Sequence, residues 1–399
     1  MQAIIRRVLI PLLIITLPIS AMIAYTLYYR KAKQHRAAQD TQIVSSLTFG
    51  TKHWESFRGN PAQTGTSEGQ LPIRLSVKWK FTAKDAVKST PVVKDGKVFV
   101  TSSDKNIYCL SLDNGEIIWT YTAGDSIEAS ALVIDKTVYV GSEDRILYAI
   151  DAEQGLPVWT CKTGGKITGS VNYRTVNSST ELFAGSYDGL LTCLDARTGT
   201  KKWSYEAQNY INGSPAIGSG LAAFGSCDAN LYMVPLDDPN SAKAFDSGSY
   251  IAASPAIANG KIYFGNFDGQ FFCVDIETGK DLWAYKDSKH AFFSSPAVNE
   301  HYVVVGCRDK KVYCFEAMTG KPLWTFLAGA EVDSSPVLCG EQILVGSSDG
   351  KLYCLSVANG TLNGSFDAAS AILSGPAIAD NCILIACEDG TVYALQQSK

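Results

Sequence analysis

Apolar residues fall along this chain in two kinds of run. The first is a single uncharged stretch, Val8 to Tyr29. As a helix rising about 1.5 Å per residue it would reach roughly 33 Å, enough to cross a hydrocarbon core. The second kind begins near residue 75, where short apolar runs alternate with tight turns to the end of the chain. Ser254 to Tyr285 shows the unit: SPAIAN, then KIYFGN, an Asp268-Gly269 turn, QFFCVDI, a second turn at Glu277-Thr278-Gly279-Lys280, and DLWAY. Asp-Gly accepts positive φ at small cost, which suits a hairpin. Each unit therefore reads as four antiparallel strands.

The unit recurs. A Ser-Pro-like start places equivalent residues at 91, 132, 171, 215, 255, 296, 336 and 376, a period of about 40. A turn aspartate keeps the same period at Asp104, Asp144, Asp188, Asp228, Asp268, Asp309, Asp349 and Asp389. So does an outer-strand tryptophan, at Trp79, Trp119, Trp159, Trp203, Trp283 and Trp324. Four strands in forty residues, eight times over, predict an all-β, eight-bladed propeller. The eighth unit ends after its third strand, whereas residues 75–82 carry a fourth-strand pattern with no strands before it. This spare strand is expected to complete blade eight and latch the ring. Units four and seven lack the tryptophan. Phe245 is the nearest substitute in unit four and Gly364 falls at the position in unit seven, so both outer strands are expected to dock less tightly.

The predicted organisation is a membrane anchor or signal over 1–30, a linker over 31–53 and the propeller over 54–399. A transmembrane helix is the expected form of residues 8–29, and a cleavable signal peptide is the competing reading. Basic residues flank the stretch on both sides, so orientation is not fixed by charge. The first 40 residues hold six Lys/Arg and one acid in a chain of net charge −4, which leaves the body acidic. An acidic body without a basic stripe excludes nucleic acid as the expected partner.

Five of the eleven cysteines (Cys109, Cys193, Cys273, Cys314, Cys354) occupy the same third-strand position in different blades, and there is no CxxC pair. They are expected to be reduced, buried packing residues. A turn centred on Asp309-Lys310 would set Cys307 opposite Val312. The turn aspartates are expected to bond their own turn backbone rather than a metal. No metal site and no catalytic residue is expected, and the four histidines have no ligand spacing. The candidate binding site is the channel mouth, where the first strand of each blade enters the ring: Lys88, Glu128, Thr168, Asn212, Ala252, Phe293, Asp333 and Leu373. One arc of it is polar and the other largely apolar, which suits a peptide or small polar ligand.

Asp195-Ala-Arg-Thr-Gly199-Thr-Lys-Lys-Trp203 and Asp275-Ile-Glu-Thr-Gly279-Lys-Asp-Leu-Trp283 resemble the pyrroloquinoline-quinone (PQQ) repeat. Trp54-Glu-Ser-Phe-Arg-Gly-Asn-Pro-Ala-Gln-Thr-Gly65 resembles the lead-in before many PQQ-like propellers. The resemblance implies that each tryptophan docks its outer strand on the next blade. Its non-catalytic, BamB-like branch implies a monomeric, extracytoplasmic propeller, tethered here by residues 8–29, that binds a protein or peptide and carries no cofactor. The enzyme branch implies a quinoprotein dehydrogenase with PQQ and calcium, but this chain has no adjacent cysteine pair and its units are close to minimal length. A ligand sensor coupled to a membrane partner is the third class.

Overall fold

The computed structural model describes residues 49–72 and 74–398. The anchor expected over 8–29 lies outside them. Among the described residues no helix is long and apolar enough to cross a membrane.

Eight sheets form the ring. Blades one to seven occupy residues 92–122, 132–162, 172–206, 216–246, 256–285, 297–327 and 337–367, and blade eight spans 377–397. In every blade but the third, whose longer first hairpin runs out to solvent, the short innermost strand and the two middle strands are largely buried, because neighbouring blades cover both sheet faces. The outermost strand alternates between covered and exposed, as in Pro322–Leu327.

Closure follows the expected latch. Leu75–Thr82 pairs antiparallel with Thr391–Gln397, with Trp79 opposite Ala394. The final sheet is thus built from both ends of the propeller, and the last blade has its four strands.

The tryptophans tie blades together by a repeated contact. Indole N–H groups donate to a turn carbonyl of the following blade from Trp79 to Leu112, Trp119 to Ala152, Trp159 to Ala196, Trp283 to Ala317 and Trp324 to Val357, at 2.8–3.1 Å. Each ring lies on a glycine of that turn. A Cβ on Gly155 would come within 2.7 Å of the Trp119 ring. Trp203 differs: its indole makes no hydrogen bond among the described residues and packs against Phe183 of its own blade. The turn it would meet is replaced in blade four by a short 3-10 helix, Pro239–Ser241.

Two register expectations are corrected. Lys243, not Phe245, takes the tryptophan position of blade four. Lys243 stands opposite Met233, as Trp203 stands opposite Cys193, while Phe245 pairs with Leu231. The Lys243 ammonium bonds the Glu277 carbonyl, so a cation replaces the indole as the inter-blade tie. Gly306, not Cys307, stands opposite Val312, and the Cys307 N–H donates to Lys311.

One element was not foreseen. Residues 49–67 form a cord across one end of the channel and touch every blade. The chain's carbonyls accept inner-strand or adjoining N–H groups: Thr51 from Asp380, Trp54 from Val93, Glu55 from Val133, Pro61 from Ile217, Ala62 from Ile257, Thr64 from Val298 and Gly65 from Leu338. Blade three joins through Asn172, whose side-chain amide donates to Pro61. Thr66–Ser67 then adds a parallel fifth strand to blade seven. The cord's own Phe49 and Trp54 are buried. The cord satisfies inner-strand donors that would otherwise be orphaned.

Candidate functional site at the channel mouth

The cord makes the channel blind. A cavity of about 190 Å³ opens at the opposite end, and all eight predicted mouth residues line it, with Phe57 of the cord also in its wall. Periodicity explains why: equivalent positions in eight blades must converge around the ring axis.

The rim holds two ion pairs. Lys88 Nζ donates to Glu128 Oε1 at 2.6 Å, and this bond holds the Lys88 ammonium above its ordinary range. Asp333 is clamped by Arg308, whose Nε and Nη2 reach its two oxygens at 3.0 and 2.8 Å. Thr168 donates its hydroxyl to Asn212 Oδ1 at 3.1 Å, and Tyr187 donates to the same atom at 2.7 Å.

Sequence reading missed Arg308 and the aromatic side chains outside the rim. The Arg308 guanidinium sits 3.9 Å over the Phe293 ring. Phe293 meets Phe267 edge-on at 5.7 Å, and Phe267 lies 4.6 Å from Tyr250. Further round, Tyr187 stacks on Tyr210 at 4.9 Å beneath the Lys166 ammonium. Tyr210, Tyr250 and Phe267 are 50%, 44% and 41% exposed. An arc of accessible aromatic surface therefore covers blades three to six. A signal existed in the sequence: Tyr187, Phe267 and Arg308 all directly precede the turn aspartate, a position with the same forty-residue period.

The turn aspartates are structural. Asp144 accepts the Ile146 N–H at 2.9 Å within its own turn, and its other oxygen accepts the Gly124 N–H at 2.8 Å from the preceding inter-blade loop. Asp104, Asp228 and Asp349 repeat the pattern. In blade five Asn266 supplies the turn contact instead, accepting from Gln270. All eleven cysteines are free. Among the described residues no group of three His, Cys, Asp or Glu is arranged to hold a metal.

Blade number, blind channel and aromatic rim define a closed eight-bladed propeller with one open channel mouth. A family described as outer membrane protein assembly factor BamB matches residues 50–285, 131–326 and 277–399, and the chain belongs to it. No curated protein matches. Among solved structures, BamB from Moraxella catarrhalis is similar at 19% identity and a TM-score of 0.67, over 81% of this chain and 100% of that one. A quinohemoprotein alcohol dehydrogenase from Comamonas testosteroni is similar at 15% identity and a TM-score of 0.74, over 87% and 81%. The computationally designed protein Ika8 is similar at 16% identity and a TM-score of 0.70, over 80% and 98%. A designed protein and an enzyme on one architecture show that these likenesses concern fold.

Proposed function

We propose that this protein is a non-catalytic binding module that docks a protein partner on its open face, with Tyr210, Tyr250, Phe267 and Phe293 as the anchoring side chains. The observation that carries the reading is the exposed aromatic arc beside the Arg308–Asp333 clamp. Aromatic and arginine side chains dominate the energetic centres of protein interfaces. Membership of the BamB family supports a role in assembly at a bacterial envelope. The uncharged run at 8–29 supports tethering to a membrane, with the propeller on the extracytoplasmic side.

A photo-crosslinking side chain at Tyr250 tests this in native membranes, with Leu282 on an outer strand as the control. One discrete adduct from Tyr250, lost on Phe267→Ala and Phe293→Ala, is the expected result. Equal labelling from both positions would reject the arc. Alanine at Lys88, Glu128, Phe293 and Asp333 together should likewise abolish the adduct while the fold persists.

The dehydrogenase architecture calls for a quinone and a calcium ion, and the rim does not fit them. Calcium takes six to eight oxygen ligands, whereas the two carboxylates lining this cavity, Glu128 and Asp333, are each engaged by a cation. Quinone-dependent dye reduction by the full chain supplied with PQQ and calcium would overturn the non-catalytic reading.

A further inference from the structure

Arg58, at the cord's midpoint, is a cation buried without a carboxylate. Its side chain is 1% exposed. Nη1 donates to the Ser335 carbonyl and Nη2 to the Pro296 carbonyl, each at 3.0 Å, while Nε has no partner among the described residues. Desolvation brings its pKa down to about 9, so it remains charged at neutral pH. Burying an unpaired charge costs several kcal/mol, on the order expected for an ion stripped of water. The rim does not offset it, because Lys88 with Glu128 and Arg308 with Asp333 already cancel in pairs.

Above Arg58 runs a ring of hydroxyls. The Thr90 N–H donates to Ser130 Oγ, Ser130 to Ser170, Ser170 to Ser214, Ser214 to Ser254, Ser254 to Ser295 and Ser295 to Ser335, at 2.8–3.1 Å. Each serine oxygen accepts one of these bonds. None of the six hydroxyls donates to a protein group among the described residues, and all six line the cavity. A hydroxyl retains one O–H donor when its oxygen accepts, so the ring presents donors without acceptors. The ring breaks at one blade, where Gly375 replaces the serine. A Cβ there would lie 2.9 Å from the Ser335 carbonyl oxygen and 3.5 Å from Arg58 Nη1. The hydroxyl is thus missing at a cavity-lining position beside the guanidinium, which itself sits behind the wall on the Ser335 and Pro296 carbonyls.

We propose that the channel floor binds one small oxyanion, held by the serine hydroxyl ring over the buried charge of Arg58. Donors converging from several blades match the acceptor oxygens of a carboxylate, sulfate or phosphate, and repel a cation. A cavity of about 190 Å³ has room for such an ion. The same chemistry has two sources: a free ion, or the terminal carboxylate of a peptide entering the mouth. The ring adjoins the aromatic arc, since Phe293 lines the same cavity, but the two share no residue, so serine variants and aromatic variants test the two proposals independently.

Isothermal titration of the full chain in detergent tests it, with sodium sulfate, phosphate or acetate against chloride at matched ionic strength. A peptide with a free C-terminal carboxylate and the same peptide amidated form the second arm. One-to-one binding is expected, weakened at least tenfold by Ser254→Ala with Ser295→Ala and by Arg58→Met. Binding of the free ions alone, or of the carboxylate peptide alone, assigns the source. If Arg58→Met does not fold, the serine variant carries the test. A selenate soak should also place an anomalous peak within the ring. No saturable binding by any of these probes beyond the chloride control, or unchanged binding in the serine variant, would overturn the proposal.

Discussion

The indole N–H of Trp79 donates to the Leu112 carbonyl at 2.9 Å. Trp79 belongs by pairing to blade eight and Leu112 to blade one, so this bond joins the two blades at the ring's closure. Its ring also covers Gly115, where a Cβ would approach within 2.7 Å. Trp79→Ala should therefore lower unfolding free energy by about 3–5 kcal/mol, the usual cost of deleting a buried aromatic. Trp203→Ala should cost visibly less, because that side chain is only half-buried and its indole makes no inter-blade bond among the described residues. Urea denaturation of the two variants checks the order. Equal losses would mean that the latch contributes nothing beyond burial.

Glycines under the tryptophans give a second comparison. Gly320 has φ +70° and its added Cβ would meet the Trp283 ring at 2.4 Å, whereas Gly96, at φ +73°, has open space around the same atom. Both alanine variants carry the backbone cost of a left-handed conformation, about 1 kcal/mol or somewhat more. Only Gly320→Ala must also push an indole off its seat. Its melting temperature should fall clearly further than that of Gly96→Ala, and tryptophan fluorescence should shift to the red.

Much of this architecture was legible because a repeat reports the same physics eight times. Turn aspartates, Ser-Pro starts and tryptophans share a period, so blade number, latch and converging mouth residues all follow from spacing. What escaped were features that occur once. Arg58 and its neighbours carry no periodicity, and the cord's main role is to give carbonyls to inner-strand N–H groups, which side-chain pattern does not encode. Lys243 was missed for a related reason. An irregular turn in blade four shifted the apparent alignment, so the aromatic Phe245 looked like the tryptophan's replacement although strand register assigns it elsewhere. Arg308 was overlooked because the rim was read one strand entrance at a time, and its partner Asp333 lies in the next inter-blade loop.

Thiol chemistry follows from burial. Nine cysteines are buried, while Cys161 and Cys227 are partly accessible. Desolvation pushes the Cys109, Cys193 and Cys273 thiols up to about 12, which leaves little thiolate at neutral pH. In the folded chain a thiol reagent should modify at most Cys161 and Cys227, and slowly. All eleven should react after denaturation without a reductant. A titre below eleven in denaturant would show that some of these thiols pair in the purified protein.

The tyrosine–aspartate pairs set opposite limits of pH. Burial alone would push the Asp309 carboxyl up, but hydrogen bonds from Tyr313 and Lys311 outweigh it and hold the group below its ordinary range. Asp309 therefore binds a proton more readily in the unfolded chain. Its contribution to stability is present above about pH 4, the ordinary carboxylate value, and is lost as pH falls through the lower folded value. Tyr148 shows the reverse: burial and its bond to Asp144 push the phenol up to about 12. That contribution is complete below about pH 10, where an unfolded tyrosine begins to ionise, and disappears as pH rises through about 12. Urea midpoints from pH 2.5 to 12 should trace both limbs. Asp309→Asn should flatten chiefly the acid limb, with a smaller alkaline change through Tyr313, and Tyr148→Phe only the alkaline one. If either variant moved both limbs equally, the pH dependence would belong to the net charge of the ring and not to these pairs.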